Sequence, residues 1–325
     1  MTLTVDVAIP CYRYGHFLRE CVQSVLSQEG IQARVLILDD CSPDNTAEVG
    51  RQLAESDPRV EYRYHTENKG HIATYNEGID WASGDLFLLL SADDYLAPGA
   101  LSRVAQLFEA NEDMSFVFGN ASLVFDNGMQ ELREPFAGKR KRQSEIFSCL
   151  DFVKAMSGQN IVPTPTAVVR TSAQKHVGGY CQALPHAGDM AMWLRLAATG
   201  PVGFINATQA VYRMHSSNMS RSYSAARLPD VQQRRAAIDH FLEYSAPELK
   251  NPRLFKTLLF QALGRNSIYQ AGEAFNEGDI ATANRLSDLA KELYPDVWRS
   301  RAWLRYLANR ALGPRVWQVL RSMRG

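Results

Sequence analysis

The sequence has no apolar run approaching the roughly 18 residues of a membrane span, so no transmembrane helix is expected. It also has no net charge: 35 lysines and arginines balance 35 aspartates and glutamates. No overall field then draws it to nucleic acid, and any basic contact must be local. Cysteine is scarce and unpatterned. Cys11, Cys21, Cys41, Cys149 and Cys181 are odd in number, lack C-x-x-C spacing and fall mostly in apolar segments. They read as buried, reduced thiols of a cytosolic protein, not as a disulfide framework. No charged start and apolar leader precede the first strand pattern at Val5–Ile9, so secretion is not expected. The turn after that strand lacks the glycines of G-x-G-x-x-G, which disfavours a dehydrogenase-type dinucleotide fold.

What is present begins with Leu86 to Leu96, Leu-Phe-Leu-Leu-Leu-Ser-Ala-Asp-Asp-Tyr-Leu. Five apolar residues after Ser83-Gly84 suit a short strand buried on both faces. It delivers adjacent carboxylates, Asp93 and Asp94, to its C-terminal end, where open α/β sheets place ligands. Neighbouring buried carboxylates repel, and oxygen donors with open positions suit Mg²⁺ or Mn²⁺. The dipeptide alone fits a solvated turn better, since Asp is common in turns.

Strand and helix patterns alternate four times within the first ninety residues. Strands are expected at 5–9, 35–38, 60–65 and 86–90, with helices from Phe17 to Gly30, from Ser42-Pro43 to Glu55 and from His71 to Trp81. That order specifies a mostly parallel sheet wrapped by helices. Further strands are expected at 115–118, 202–205 and 210–214, and a helix at 190–198. Residues 126–145, with Lys139-Arg-Lys-Arg142, read as a solvated loop. A boundary falls at 222–230, dividing the chain into 1–222 and a helical 223–325.

Taken in order, these segments resemble the family 2 glycosyltransferases, nucleotide-sugar-dependent enzymes of the GT-A fold. Ala8-Ile-Pro-Cys-Tyr12 is similar to the family's first strand and turn, and Leu38-Asp-Asp-Cys-Ser-Pro-Asp-Asn-Thr46 to its Asp-Asp-Gly-Ser signature, with Cys41 for the usual Gly. Asn68-Lys-Gly70, Tyr75-Asn-Glu-Gly78, Ser91-Ala-Asp-Asp94, Gly188-Asp189 with Trp193-Leu-Arg195, and Tyr212-Arg-Met-His215 with Asn218 and Ser220 continue the series. Departures are Arg13 where Asn is usual, Ser91 where Asp is frequent and Gly188 where Glu is frequent.

The resemblance implies an inverting, metal-dependent hexosyltransferase using Mn²⁺ or Mg²⁺, acting in bacterial surface polysaccharide or glycoconjugate synthesis. Pro10, Tyr12, Asp40, Asn68, Gly70 and Asp93 would bind the nucleotide, with a UDP-sugar favoured because a carboxylate such as Asp40 accepts an imide N–H. Asp94 and His215 would hold the metal, and Asp189 would be the general base. The residues also permit blander roles: an Asx turn for Asp40, an N-cap for Asp189, a satisfied surface imidazole for His215. A nucleotidyltransferase, or a non-catalytic nucleotide-sugar-binding scaffold of the same fold, is the alternative. The acceptor would be a saccharide or a lipid-linked glycan, with no nucleic acid involved.

The C-terminal hundred residues lie outside the resemblance. Gln261 to Pro295 reads as a helical hairpin turning at Gly278-Asp279. After Asp296 no acidic residue occurs, while Arg299, Arg301, Arg305, Arg310, Arg315, Arg321 and Arg324 do. Leu304, Leu307, Ala308 and Ala311 form one helical stripe, and Val316, Val319, Leu320 and Met323 another. This basic, Trp-bearing tail at 297–325 suits either packing on the protein or peripheral contact with the inner face of the cytoplasmic membrane.

Overall fold

The computed structural model describes residues 2–136, 142–216, 218 and 226–313. The chain divides into two compact units, 1–152 with 161–217, and 153–160 with 218–325.

The first unit is built on strands β1 (Thr4–Cys11), β2 (Gln32–Asp39), β3 (Val60–Tyr64), β4 (Leu86–Leu89), β5 (Tyr95–Leu96), β6 (Phe116–Phe125), β7 (Gln130–Arg133), β8 (Ser144–Phe147), β9 (Val168–Arg170) and β10 (Val202–Met214). Its helices are α1 (Gly15–Leu26), α2 (Thr46–Ser56), α3 (His71–Trp81), α4 (Ala100–Glu109), α5 (Cys149–Met156), α6 (Thr171–Val177) and α7 (Gly188–Thr199), the last turn of α5 passing into the second unit. One sheet runs β3-β2-β1-β4-β9-β6-β10-β5, with β7 on β6 and β8 on β10. The β3-β2-β1-β4 half is parallel throughout, while β9 enters antiparallel between β4 and β6. The fold is α/β with a mixed, mostly parallel sheet flanked by helices, of GT-A type.

The centre of this sheet is dry because its residues are apolar on both faces: Val7, Ile9, Val35, Ile37 and Leu88 on one, and Ala8, Leu36 and Leu38 on the other, are wholly buried. Gly78 lets α3 lie close over β1, since a Cβ there would stand 2.6 Å from that of Ala8. Beyond β4 the chain keeps its course beside β1, with the Leu90 amide bonded to the Ala8 carbonyl at 3.0 Å and Ala92 to Pro10 at 3.3 Å. Asp93 and Asp94 therefore emerge past the carboxyl end of β1.

Three local expectations changed. The helix expected from Ser42-Pro43 begins at Thr46, because the Ser42 hydroxyl accepts from Arg13 N at 3.0 Å and Asp44 accepts from Gly15 N at 3.2 Å. Those residues tie the two turns together instead of capping. The two short strands expected at 202–205 and 210–214 are one strand, β10, with register shifts between Ile205 and Ala210. The polar stretch 126–145 carries β7 and the start of β8; Lys139-Arg-Lys141 lies outside the described residues.

The second unit contains α8 (Arg227–Tyr244), α9 (Pro252–Asn276), α10 (Ile280–Leu293) and α11 (Arg301–Leu312). The hairpin of α9 and α10 turns at Gly278 (φ 91°), and Asp279 caps α10 by accepting from Thr282 N at 3.0 Å. Ala271, Ala274, Ala283, Leu286 and Ala290 form its dry seam. Helix α11 turns Tyr306 and Asn309 inward, whereas Leu304 and Leu307 are 59% and 46% exposed. The second stripe, 316–323, lies outside the described residues.

One buried charge is central to the first unit. Asp6 on β1 is fully buried, receives Arg34 of β2 at 2.7 and 2.8 Å, and accepts from Ser83 N and Gly84 N at 2.7 and 2.8 Å. Burial alone would raise its pKa; the bonds from Arg34 and the two amides outweigh it and hold the carboxyl below its ordinary value. A lowered folded pKa means stability that is present above the unfolded pKa of about 4 and lost as pH falls through the folded value. Asp6→Asn should cost about 3 kcal/mol in urea unfolding at pH 7, and the difference from the parent should shrink in acid.

Candidate active site

The carboxyl ends of β1, β2 and β4 and the start of α7 supply the sequence-predicted residues. Asp39, at the end of β2, accepts from Ser42 N at 2.9 Å and from the Tyr62 hydroxyl at 2.8 Å, and so makes the turn expected of its neighbour. Asp40 does something else. Its Oδ1 accepts from Lys69 N at 2.8 Å and lies 2.9 Å from His65 Nδ1, and its Oδ2 accepts from Gly70 N at 2.9 Å. Asn68 braces the same loop, donating to the Asp40 carbonyl at 3.1 Å and accepting from Gly70 N at 3.1 Å. Gly70 is left-handed at φ 81°, which glycine adopts without penalty. Three of the carboxylate's four or so lone-pair positions are thus used within the protein, leaving one on Oδ2. Pro10 is the last residue but one of β1, and Tyr12, just past the strand, is 43% exposed.

The two residues at the unusual positions of the turns, Arg13 and Cys41, both have positive φ, 66° and 60°. Left-handed backbone favours Gly or Asn, so the usual residues suit these sites better than the ones present.

Asp93 and Asp94 are buried, as is His215. His215 Nε2 lies 3.1 Å from Asp93 Oδ2, and its ring sits against Tyr14 and Phe17. Asp94 Oδ1 accepts from Arg213 N at 3.0 Å, and the Arg213 guanidinium donates to the Asp93 carbonyl at 2.6 Å while packing over Phe17 and Tyr95. Burial first and the Asp93 charge second push the Asp94 carboxyl well above its ordinary pKa. A cation would relieve both effects, and two carboxylates with an imidazole are a donor set that fits Mn²⁺ or Mg²⁺. Among the described residues no group of three His, Cys, Asp or Glu is spaced to hold a metal alone. Most of the shell would then come from a diphosphate and water.

Asp189 is not the N-cap of α7. Ala187 holds the cap position, and the Asp189 carboxylate turns aside to accept from the Thr164 hydroxyl at 2.7 Å and from the Tyr180 hydroxyl. Burial raises its pKa, while those two bonds and the charges of His71 and Arg133 act against the rise. Tyr75 is the common neighbour of the carboxylates: Asp189, Asp93 and Asp94 all act on its phenol, with Tyr212, and burial with them drives its pKa upward. Asp93, Asp94 and Asp189 therefore all lie within electrostatic reach of one buried phenol. Sequence reasoning did not single out Thr164, Tyr180, His65, Arg213 or Arg133; the Pro163-Thr-Pro165 loop and the Arg between Tyr212 and His215 were the available signals.

Fold and carboxylates together define a glycosyltransferase of GT-A architecture. The model of the family "Glycosyl transferase family 2" matches residues 6–160 of the chain. It is 32% identical over 152 residues to GalNAc(5)-diNAcBac-PP-undecaprenol beta-1,3-glucosyltransferase of Campylobacter jejuni, a match covering 46% of this chain and 48% of that protein. The chain thus aligns with about half the length of that relative. Among solved structures it is similar to S. aureus TarS 1-349 with UDP-GlcNAc, at TM-score 0.57, 15% identity and coverage of 91% and 92%. It is also similar to the Pyrobaculum calidifontis mannosyltransferase PcManGT with GDP-Man and Mn²⁺, at TM-score 0.53, 18% identity and coverage of 97% and 87%.

Removing the Asp40 carboxylate frees the loop that it holds. In Asp40→Ala the Lys69 and Gly70 amides should exchange hydrogen about tenfold faster or more, a loss of roughly 1.4 kcal/mol of local protection, while β1 and β2 stay protected. Hydrogen-exchange mass spectrometry over 62–76 provides the measurement.

Proposed function

We propose that the chain transfers a sugar from a nucleoside-diphosphate sugar to an acceptor hydroxyl with inversion, in surface polysaccharide or glycoconjugate synthesis. The observation that carries this reading is that the charges of Asp93, Asp94 and Asp189 all act on the buried Tyr75 phenol. The nucleobase would sit against Pro10 and Tyr12, with the remaining Asp40 lone pair accepting its imide N–H; this favours a UDP-sugar, as bound by TarS. Asn68 and Gly70 keep that carboxylate in place. Asp93 would approach the ribose, and Asp94 and His215 would hold Mn²⁺ or Mg²⁺, which would neutralise the leaving diphosphate as a Lewis acid.

In the transfer, the acceptor oxygen attacks the anomeric carbon as the bond to the diphosphate oxygen breaks. Asp189 takes the hydroxyl proton. Thr164 and Tyr180 occupy its other lone pairs and fix its direction. No covalent sugar–enzyme bond is needed, because one displacement inverts the centre.

Two substitutions separate these roles. Asp94→Ala should lose Mn²⁺-dependent UDP binding in calorimetry, whereas Asp189→Asn should keep it and lose transfer by about 10²- to 10⁴-fold. Unchanged UDP affinity in the first, or retained transfer in the second, overturns the assignment. Because Thr164 and Tyr180 stabilise the charged form of Asp189, Thr164→Val or Tyr180→Phe should move the acid limb of kcat to higher pH.

The reading extends to location. Helix α11 carries Leu304, Leu307 and Leu312 outward, with Trp298 just before it, beside exposed Arg301, Arg305 and Arg310. No helix among the described residues is long and apolar enough to cross a membrane. An apolar stripe flanked by arginines fits the interface of an anionic bilayer, with each cation near the surface worth about 1 kcal/mol. A lipid-linked acceptor would give that contact a purpose. Leu304→Asp/Leu307→Asp should weaken co-sedimentation with phosphatidylglycerol vesicles without lowering the unfolding temperature, since both side chains are exposed. Equal, salt-insensitive sedimentation of parent and variant defeats the membrane contact.

A further inference from the structure

Arg213 is the residue through which β10 reaches both halves of the Asp93-Asp94 pair, and helix α1 decides where its charge points. Its amide donates to Asp94 Oδ1 at 3.0 Å, and one arm of its guanidinium donates to the Asp93 carbonyl at 2.6 Å. The other arm pairs with Glu20 of α1. Between these contacts the guanidinium lies over two rings, 4.6 Å from the centroid of Phe17 and 4.7 Å from that of Tyr95. Phe17 and Glu20 stand one turn apart on α1, so one helix face supplies a ring and an anion to the same side chain. Tyr95 comes from β5, where it pairs with Val211, two residues before Arg213. Helix α1 is itself pinned beside the metal pair. Ser24 Oγ accepts from Leu96 N at 3.0 Å, and Gln28 Nε2 donates to the Ala97 carbonyl at 3.1 Å.

A guanidinium this close to two buried carboxylates has an alternative. Its planar fork can swing onto their oxygens and take the place of an incoming cation. In the observed arrangement the two arms go to a carbonyl and to Glu20, and it is the uncharged amide that meets the Asp94 carboxylate. The Arg213 side chain is 15% exposed and that of Glu20 58%, so the pair sits at the border of the site, partly screened by water. We propose that Glu20 is a positioning residue for the metal pair. It holds the Arg213 fork off the Asp93 and Asp94 oxygens, so that a divalent cation arriving with a nucleoside diphosphate can use them. This deepens the reading of Asp94 and His215 as the metal-holding residues and rests on it.

Calorimetry on the full chain, with UDP as the probe and Mn²⁺ varied, tests the assignment in Glu20→Gln, Glu20→Asp and Arg213→Met. The Mn²⁺ concentration that gives half-maximal UDP binding should rise about 3- to 10-fold in Glu20→Gln, the worth of a charge-assisted bond discounted for exposure. Glu20→Asp should fall between it and the parent. The gap should narrow as NaCl is raised to about 0.5 M, because the exposed pair is screened. In the Arg213→Met background, or in Arg213→Lys if that variant does not fold, Glu20→Gln should add little further loss. An unchanged Mn²⁺ requirement overturns the proposal. So does a loss that persists in full without the Arg213 fork, or an equal fall in UDP affinity at saturating Mn²⁺. Hydrogen exchange over 210–216 gives a readout that needs no nucleotide. The Arg213 amide should exchange about threefold faster or more in Glu20→Gln, and an unchanged rate again overturns the proposal. Failure of UDP, GDP and dTDP alike to bind the parent strikes the glycosyltransferase reading itself, which separates the two failures. The unfolding temperature of Glu20→Gln should stay within about 3 °C of the parent, since a half-exposed pair contributes little stability.

Discussion

Two adjacent carboxylates held out of water are the constraint on which the catalytic unit is arranged. Neither Asp93 nor Asp94 can be charged there at low cost unless positive groups converge on them. The protein supplies part of that convergence from β10, through the Arg213 amide and guanidinium and the His215 ring. β10 can do this because it is continuous across the irregularity at 205–210, which carries it past β5 to the cleft. The remainder of the charge is left to what binds.

The parallel half of the sheet was legible because its inner strands β1, β2 and β4 are buried on both faces and its helices have one-sided apolar periodicity. Val5–Ile9, Val35–Leu38 and His71–Trp81 all fall inside or on the observed elements. The carboxylates were legible for a related reason: charged residues directly after an apolar strand have few purposes. Helix starts were less so. Ser42-Pro43 has the composition of a helix cap, yet its hydroxyl is spent on Arg13 N, a partner 29 residues away that no local pattern reveals. Thr164, Tyr180 and Arg133 were hidden for the same reason, since each reaches Asp189 only through tertiary structure. The carboxylate of Asp40 was recognised, but not that the chain itself would use most of its capacity.

That loop shows how recognition and folding share a group. Asp40 gathers the 65–70 segment with the same oxygens that would meet a base, and His65 is itself held from behind by Glu77 at 2.9 Å. Both ring nitrogens of His65 thus lie against carboxylate oxygens, each at 2.9 Å. The Asp40 loop is therefore a braced surface in which altering one residue shifts several.

The division of the chain has a consequence for how such proteins can be rearranged. Residues 153–160 belong with the helical unit although they lie inside the sequence of the catalytic one. Within that unit the Gly158 carbonyl accepts from Arg234 at 3.2 Å, and a side chain at 158 would collide with Leu263 N at 2.9 Å. A single cut after residue 217 would strip this inserted turn of its partners. The helical unit is thus not an appendage that recombination can swap at one junction. Exchange between relatives would have to replace both pieces together, which ties the history of the tail to that of the catalytic sheet.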